Sequence, residues 1–318
     1  MHKILITGGC GFIGTNLAEY LLANGGYRLT LLDNFSNAVY GAVRYADDSS
    51  VRMIEGDIRD RQACLQATEG QDALVHLAAD TQVIESLRNP DHCYDVNLQG
   101  TINLLEACRL NHVPEFVLAS SNAAVGGSAS PVNEEAVPRP MSPYGAAKLA
   151  GEALCSAYAY SYGISTVALR FSNVYGPHCQ RKSSVIAKFM RQLIEAAPLT
   201  IFGDGSQSRD FIHVGDLCNA IHLCLSRKEE GGAQIFQVAS GKETSVLELI
   251  ELLAQVIHTR PALRFEPVRQ GEIFKNVSNI SMIREHLGFT PKIALAEGIE
   301  SLYQWLLRDG TLTPVPSV

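Results

Sequence analysis

The sequence predicts an α/β fold, a doubly wound parallel sheet followed by a smaller mixed α/β unit. Three observations carry this. Short apolar runs alternate with helical spacing from the start of the chain to Arg170, and strands separated by helices in this way lie parallel and are covered on both faces. A glycine-paved turn joins the first apolar run to the first helix. Past Arg170 the alternation loosens into helices near 183–196, 215–226, 245–258 and 296–308, set among short strands and loops with Gly and Pro.

The first strand, 3–7, contains Ile4-Leu5-Ile6, and a helix over 12–24 follows with Ile13, Leu17 and Leu21 on one face. Between them Gly8, Gly11 and Gly14 fit G-x-x-G-x-x-G, a spacing variant of the Rossmann-type dinucleotide turn. Gly8 allows the tight turn, Gly11 lets backbone approach a pyrophosphate, and Gly14 lets the helix pack on the strand. Free N–H groups around Phe12 and Ile13, with the helix dipole behind them, face the anion. The second strand, 28–33, ends in Asp33. An acid there accepts hydrogen bonds from both ribose hydroxyls and repels a 2′-phosphate, so Asp33, with Asn34 beside it, predicts NAD rather than NADP.

A third strand, 51–54, runs into Glu55-Gly56-Asp57-Ile58, where an acid and backbone groups suit an adenine amino group. After a helix over 60–69, a strand over 73–77 leads into His76-Leu77-Ala78-Ala79, whose small residues let backbone touch the ribose side of the cofactor. A helix over 91–111, a strand over 115–120 closing on Ser120-Ser121, a helix over 145–162 and a strand over 165–170 complete the series. Ligands of open α/β sheets lie at the carboxyl ends of the strands, and each of these motifs falls at such an end. The expected division is an NAD-binding unit over 1–173, with return segments near 211–240, and a substrate-binding unit over 174–318. The tail 311–318 carries two prolines and little periodicity and reads as loose.

Composition narrows the classes. With 318 residues and 46% apolar content the chain has material for a large core. A net charge of −7 argues against a nucleic-acid surface. No apolar run approaches the roughly 18 residues of a membrane span, and the glycine turn comes too early for a secretory leader. The eight cysteines form no C-x-x-C pair and none sits beside histidines at zinc-ligand spacing. They read as reduced thiols of a cytoplasmic protein, and no metal is expected.

Tyr144 and Lys148 stand at i and i+4, on one helix face, just behind Pro143. A free tyrosine titrates near 10, too high for a base at neutral pH. A nearby ammonium and a positive nicotinamide would both favour the phenolate. Lys148 can also reach the nicotinamide ribose, and Ser121 can donate to a reacting sugar oxygen. Proton removal by Tyr144 would then accompany hydride transfer.

The motifs occur in a telling order: T-G-G-x-G-F-I-G, Asp33, G-D-I, H-L-A-A, V-N-x-x-G-T from Val96 to Thr101, S-S, S-P-Y-x-x-x-K, and L-R-F-x-N-V-Y-G-P from Leu169 to Pro177. Together they resemble an extended short-chain dehydrogenase/reductase of the NAD-dependent nucleotide-sugar epimerase/dehydratase family. Gly203-Asp204-Gly205, Arg209-Asp210-Phe211-Ile212-His213-Val214 and Arg269-Gln270-Gly271-Glu272 extend the resemblance into the second half. It implies that Asn173, Arg209 and Arg269 hold a nucleotide diphosphate, a task that suits the planar guanidinium fork. It further implies that Glu272 meets the substrate ribose, that Asn97 orders active-site backbone and water, and that the chain forms a homodimer through its helices near 91–111 and 145–162. Leu104, Leu105 and Cys108 form an apolar stripe there that suits either an interface or the core.

Family dehydratases place an Asp-Glu pair directly after the catalytic Thr, and family decarboxylases carry an acid two residues after the catalytic Ser or Thr. Here Asn122-Ala123-Ala124 follows Ser121. What remains is epimerisation at C4 of a UDP-sugar (UDP-Glc/Gal, UDP-GlcNAc/GalNAc or UDP-GlcA/GalA) through a transient 4-keto sugar. The alternatives are a nucleotide-sugar dehydratase or 4-reductase and, in another class, a non-catalytic NAD-binding sensor. The family pattern S-S-x-x-V-Y-G becomes Ser120-Ser121-Asn122-Ala123-Ala124-Val125-Gly126-Gly127, without its tyrosine. Anchoring on the strand puts Ser121 in the catalytic slot, whereas anchoring on Val125 puts Asn122 there. Asn276 aligns with the position whose size gates the sugar's C2 substituent, and a residue smaller than Tyr would admit an N-acetyl group.

Overall fold

The structure is a computed structural model that describes residues 1–39, 45, 48–127, 130–179, 184–227, 231–268 and 274–308. Arg269, Glu272 and the 311–318 tail lie outside the described residues. Up to the end of the sixth strand the order is β1 (His2–Thr7), α1 (Phe12–Asn24), β2 (Tyr27–Asp33), β3 (Val51–Glu55), α2 (Arg61–Thr68), β4 (Ala73–His76), α3 (Val83–Arg88), α4 (Pro90–Tyr94), α5 (Gly100–Leu110), β5 (Glu115–Ser121), α6 (Pro143–Tyr162) and β6 (Ser165–Phe171). Then come β7 (Asn173–Tyr175), α7 (Val185–Ile194), β8 (Leu199–Phe202), β9 (Ser208–Arg209), β10 (Phe211–His213), α8 (Val214–Leu225), β11 (Ala233–Val238), β12 (Thr244–Ser245), α9 (Val246–Ile257), β13 (Leu263–Glu266), β14 (Lys275–Asn276), α10 (Ser281–Leu287) and α11 (Leu295–Arg308).

Seven strands form one parallel sheet in the order β11-β6-β5-β4-β1-β2-β3. The chain runs outward from β1 to β2 and β3, then returns to the other side of β1 with β4. The crevice of an open α/β sheet lies where the order reverses, between β1 and β4. Side chains alternate across the sheet. In β1, Ile4 and Ile6 join the core beneath α1 and α8, while Leu5 points to the opposite core beneath α2, α5 and α6. Every residue of β6 is buried, as expected for a strand covered on both faces.

The remaining strands are short. β8 pairs in parallel with β13, β7 with β10, and β9 lies between β12 and β14. The pairs Thr244 with Arg209 and Asn276 with Arg209 bring three distant segments to one place.

The expected helix over 91–111 is divided. Asn89 caps α4 through the His92 N–H at 3.3 Å, and a π-helical turn, Asp95–Gln99, separates α4 from α5. Inside that turn the Asn97 side chain faces inward and bonds the segment after β4, a common setting for a π turn. The Leu104, Leu105 and Cys108 stripe is fully buried against the sheet, so these residues are core rather than an outward face. Helix α3 was not expected: Val83, Ile84 and Leu87 are exposed, so it has no apolar stripe facing inward.

Candidate active site

The glycine turn is shaped by close backbone contacts. Gly8 has φ +69°, and a Cβ on it would lie 2.8 Å from the Ala78 nitrogen. A Cβ on Gly14 would lie 2.2 Å from the Gly8 carbonyl oxygen, so α1 is pressed on the turn itself. A Cβ on Gly9 would strike Leu31 of β2, a constraint the G-x-x-G-x-x-G pattern does not contain. Gly11 differs: a Cβ there would meet only the Gly8 oxygen, at 3.3 Å. Protein packing does not require Gly11 to be bare, which fits a turn that an anion approaches over the Phe12 and Ile13 N–H groups.

Beside this turn Asp33 is buried, with one oxygen accepting from the Cys10 N–H at 2.9 Å and the other from the Phe35 N–H at 2.8 Å. Burial raises its pKa and these two bonds oppose the rise. Each oxygen retains a lone pair, as a ribose acceptor requires. Asn34 Nδ2 donates to Asp57 at 2.8 Å, and Arg59 grips the same carboxylate through its side chain at 3.0 and 2.9 Å. The guanidinium holds the Asp57 carboxyl well below the usual range. Ile58 is buried against Gly100, and its carbonyl accepts from Asn103 at 3.0 Å. Leu77 N–H donates to the Thr7 carbonyl at 3.1 Å and Ala78 N–H to the Thr7 hydroxyl at 3.3 Å, which ties the Leu77-Ala78-Ala79 segment to the end of β1. Asn97 spends both amide atoms on Asp80, accepting at 2.8 Å and donating at 2.9 Å, and so orders the backbone after Ala79.

The candidate reacting groups meet where β5 ends and α6 begins. Ser142 caps α6 by accepting from the Gly145 N–H at 3.1 Å, and Pro143 takes the first turn. This sets Tyr144 and Lys148 one turn apart, both buried. The Ser121 side chain lies close enough to the Tyr144 phenol to favour its ionised form. Lys148 Nζ donates to the Ala119 carbonyl at 2.9 Å and lies 5.8 Å from the centre of the Tyr144 ring. In the protein alone the phenol is not lowered. Burial pushes it up to about 12, and the neighbouring Ser121 side chain offsets only part of the rise.

Three further neighbours shape this centre. A Cβ on Gly145 would lie 2.3 Å from the Ala123 carbonyl oxygen, so only glycine allows α6 to close on the turn after β5. The Ser120 hydroxyl bonds Glu152 at 2.5 Å, and Glu152 holds Arg170 through two bonds of 2.9 and 2.8 Å, all buried beneath the strand end. Glu152 lies four residues past Lys148, and that helical repeat was its only signal. The third is Gly126, with φ +68° and the Arg139 carbonyl oxygen 2.0 Å from where its Cβ would be. The segment through Arg139 lies directly against Gly126, its N–H donating to the Val125 carbonyl at 2.7 Å.

On the sugar side, Asn122 does not share the phenol. Its Nδ2 donates to Ser278 Oγ at 3.0 Å and to Asn276 Oδ1 at 3.4 Å. Asn173 donates to the Asp210 carbonyl through its backbone N–H at 3.1 Å and its Nδ2 at 3.0 Å. Arg209 Nη1 bonds the Ser208 carbonyl at 2.8 Å and the Phe274 carbonyl at 3.4 Å. Asn122, Asn276 and Arg209 thus converge, with Asn173 tied to the residue after Arg209.

A reversed parallel sheet, a glycine turn and a ribose-type acid define a dinucleotide-binding α/β protein. The chain matches the NAD dependent epimerase/dehydratase family over residues 4–239. It is 35% identical over 303 residues to UDP-glucose 4-epimerase of Mycolicibacterium smegmatis, spanning 93% of this chain and 96% of that protein. Among solved structures it resembles UDP-N-acetylglucosamine 4-epimerase of Methanobrevibacter ruminantium in complex with UDP-N-acetylmuramic acid, with TM-score 0.91, 27% identity and coverage of 97% and 99% of the two chains. It also resembles UDP-glucuronic acid 4-epimerase of Bacillus cereus in complex with UDP-glucuronic acid and NAD, with TM-score 0.88, 31% identity and coverage of 96% and 99%. The chain belongs to the NAD-dependent epimerase/dehydratase family of extended short-chain dehydrogenases/reductases, and NAD is its cofactor.

Proposed function

We propose that this enzyme interconverts the C4 epimers of a UDP-sugar without net consumption of NAD. The observation that carries this is the meeting of Ser121, at the end of β5, with the buried Tyr144 and with Lys148 one turn away, followed by Asn122-Ala123-Ala124, which offers no acid or base for elimination. Tyr144 takes the proton of the 4-hydroxyl, Ser121 donates to the same oxygen, and Lys148 binds the nicotinamide ribose. NAD, held at the glycine turn and Asp33, would supply a reversible acceptor for the C4 hydride. The 4-keto sugar turns over between the two transfers, and Tyr144 returns its proton to the new hydroxyl. Asp33 reads the adenosine ribose and Asp57 the adenine. Asn173, Arg209 and Arg269 hold the diphosphate, and Glu272 the uridine ribose.

The sugar is read at Asn122 and Asn276. Both are short amides, and Asn276 is small enough to leave room for a C2 N-acetyl group. Incubation with UDP-Glc, UDP-GlcNAc and UDP-GlcA in separate tubes, followed by proton NMR, is expected to show C4 epimers, with UDP-GlcNAc among the substrates. Turnover of UDP-Glc with none of UDP-GlcNAc would sink the C2 assignment. A 4-keto-6-deoxy product would replace epimerase by dehydratase.

The proposed division is a cofactor unit over 1–173 with return segments near 211–240, and a sugar-nucleotide unit over 174–318. The proposed state is a cytoplasmic homodimer. All eight cysteines are free and buried. No helix among the described residues is long and apolar enough to cross a membrane. Leu110, Tyr160 and Tyr162 are exposed on α5 and α6, an apolar surface that suits a second copy. Light scattering should give twice the 34.5 kDa of one chain.

A further inference from the structure

Asp210 follows Arg209 in the R-D-F-I-H-V motif, yet none of the roles above uses it. Its side chain is fully buried. One carboxylate oxygen accepts from Ser240 N–H at 2.8 Å and Ser240 Oγ at 2.6 Å. The other accepts from Gly241 N–H at 2.9 Å and Ser278 N–H at 3.4 Å. All four partners are donors. The Ser240 hydroxyl accepts from Lys242 N–H at 3.2 Å, so its own proton points to Asp210. Three of the four are backbone N–H groups that can only donate, so the bonds favour the carboxylate and oppose the burial that raises its pKa.

The segments gathered by this anion are those that carry the proposed sugar-nucleotide contacts. Its own carbonyl holds Asn173 by backbone and side chain. Arg209 is the preceding residue, paired with Asn276 across β9 and β14. Ser278, two residues past Asn276, binds both Asp210 and Asn122. Asn173, Arg209, Asn276 and Asn122 come from four separate parts of the chain; Asn173 and Arg209 are one step from Asp210, and Asn276 and Asn122 are joined to it through Ser278.

We propose that Asp210 is a positioning residue for the nucleotide-sugar pocket, setting the relative placement of Arg209, Asn173 and Asn276 without touching substrate. The proposal rests on the assignment of those residues to the UDP-sugar. None of the contacts of Asp210 reaches the glycine turn or Tyr144, so its loss is read in substrate binding, not in cofactor retention or the chemical step.

The test uses the full-length holoenzyme. D210N keeps the side-chain size but turns an NH2 group toward N–H donors. UDP affinity by calorimetry is expected to fall at least 10-fold and KM to rise in parallel, with kcat within about 3-fold and bound NAD unchanged. S240A removes one donor of four and should weaken UDP about 3-fold, a milder change that keeps the test open if D210N folds poorly. UDP binding within 2-fold of wild type in both variants overturns the proposal, as does a fall in kcat with KM unchanged. The UDP measurement needs no turnover. Wild type that binds UDP but epimerises no sugar would refute the epimerase reading and leave this one standing. Wild type that binds no UDP would refute both.

Discussion

At the scale of single residues, His76 shows how fully a buried network can specify a proton. It is 1% exposed at the end of β4. The Thr101 hydroxyl gives its proton to the Asn97 carbonyl at 2.7 Å, so it accepts from His76 Nε2 at 3.1 Å. His76 Nδ1 is then the acceptor for the Thr7 hydroxyl at 2.8 Å, and Thr7 accepts from Ala78 N–H. The chain joins the end of the first strand, Ala78 and the π turn through one neutral imidazole. Burial, reinforced by the charge of Lys148, lowers the His76 pKa to about 3. In the unfolded chain it titrates near 6.5. Between those values the unfolded state binds one proton more than the folded state. The stabilising contribution is therefore complete above about pH 6.5 and falls by about 1.4 kcal/mol per pH unit as the solution is acidified toward 3. Urea denaturation at pH 7, 6 and 5 should give a steeper loss for wild type than for H76Q by this one-proton slope. Parallel slopes would show that His76 is protonated in the fold.

At the scale of elements, α6 joins local capping to distant contact. Its N-cap Ser142, Pro143, Tyr144 and Lys148 lie within seven residues, and i, i+4 geometry makes them readable as a unit. Gly145 was not readable, because the atom that demands it is the Ala123 oxygen on another element. Asp210 and the Asn122–Ser278 contact escaped for the same reason: partners 30 to 156 positions apart leave no periodic trace. The glycine turn and Asp33 were readable because strand, turn and helix are consecutive. Two glycines of α6 separate these effects. Alanine is favoured over glycine in a helix by about 1 kcal/mol. At Gly151 the new methyl meets a flexible Leu118 side chain at 3.1 Å, whereas at Gly145 it meets backbone at 2.3 Å. G151A should be near neutral in thermal stability and turnover. G145A should displace the start of α6, cost about 1–3 kcal/mol and lower kcat about 100-fold by shifting Tyr144, while the remote glycine turn keeps its NAD. Equal losses of kcat in the two variants would remove Gly145 from the positioning of Tyr144.

At the scale of the whole molecule, the parallel sheet was readable from the alternation of apolar runs and helices, and the observed strands lie within a residue of the expected ones. The sugar side was less so, since β7 to β10, β12 and β14 are two to four residues long and are defined by pairing rather than by pattern. The cofactor adds to the stability of this fold. Its turn lies at the crevice where the sheet reverses, so the folded chain binds NAD and the unfolded chain has no such site. Ligand at 100 times its Kd then stabilises the fold by about 2.7 kcal/mol, or about 5 °C in Tm for a chain of this size. Asp33, already committed to the Cys10 and Phe35 N–H groups, is fixed in place and cannot swing away from a 2′-phosphate. Adding NAD to cofactor-stripped protein should raise Tm by this amount, while NADP at the same concentration should leave Tm within about 1 °C. D33N should reduce the gap between them by weakening the NAD shift and removing the repulsion of the phosphate. Equal shifts for NAD and NADP in wild type would mean that Asp33 does not face the adenosine ribose, whatever the fold around it.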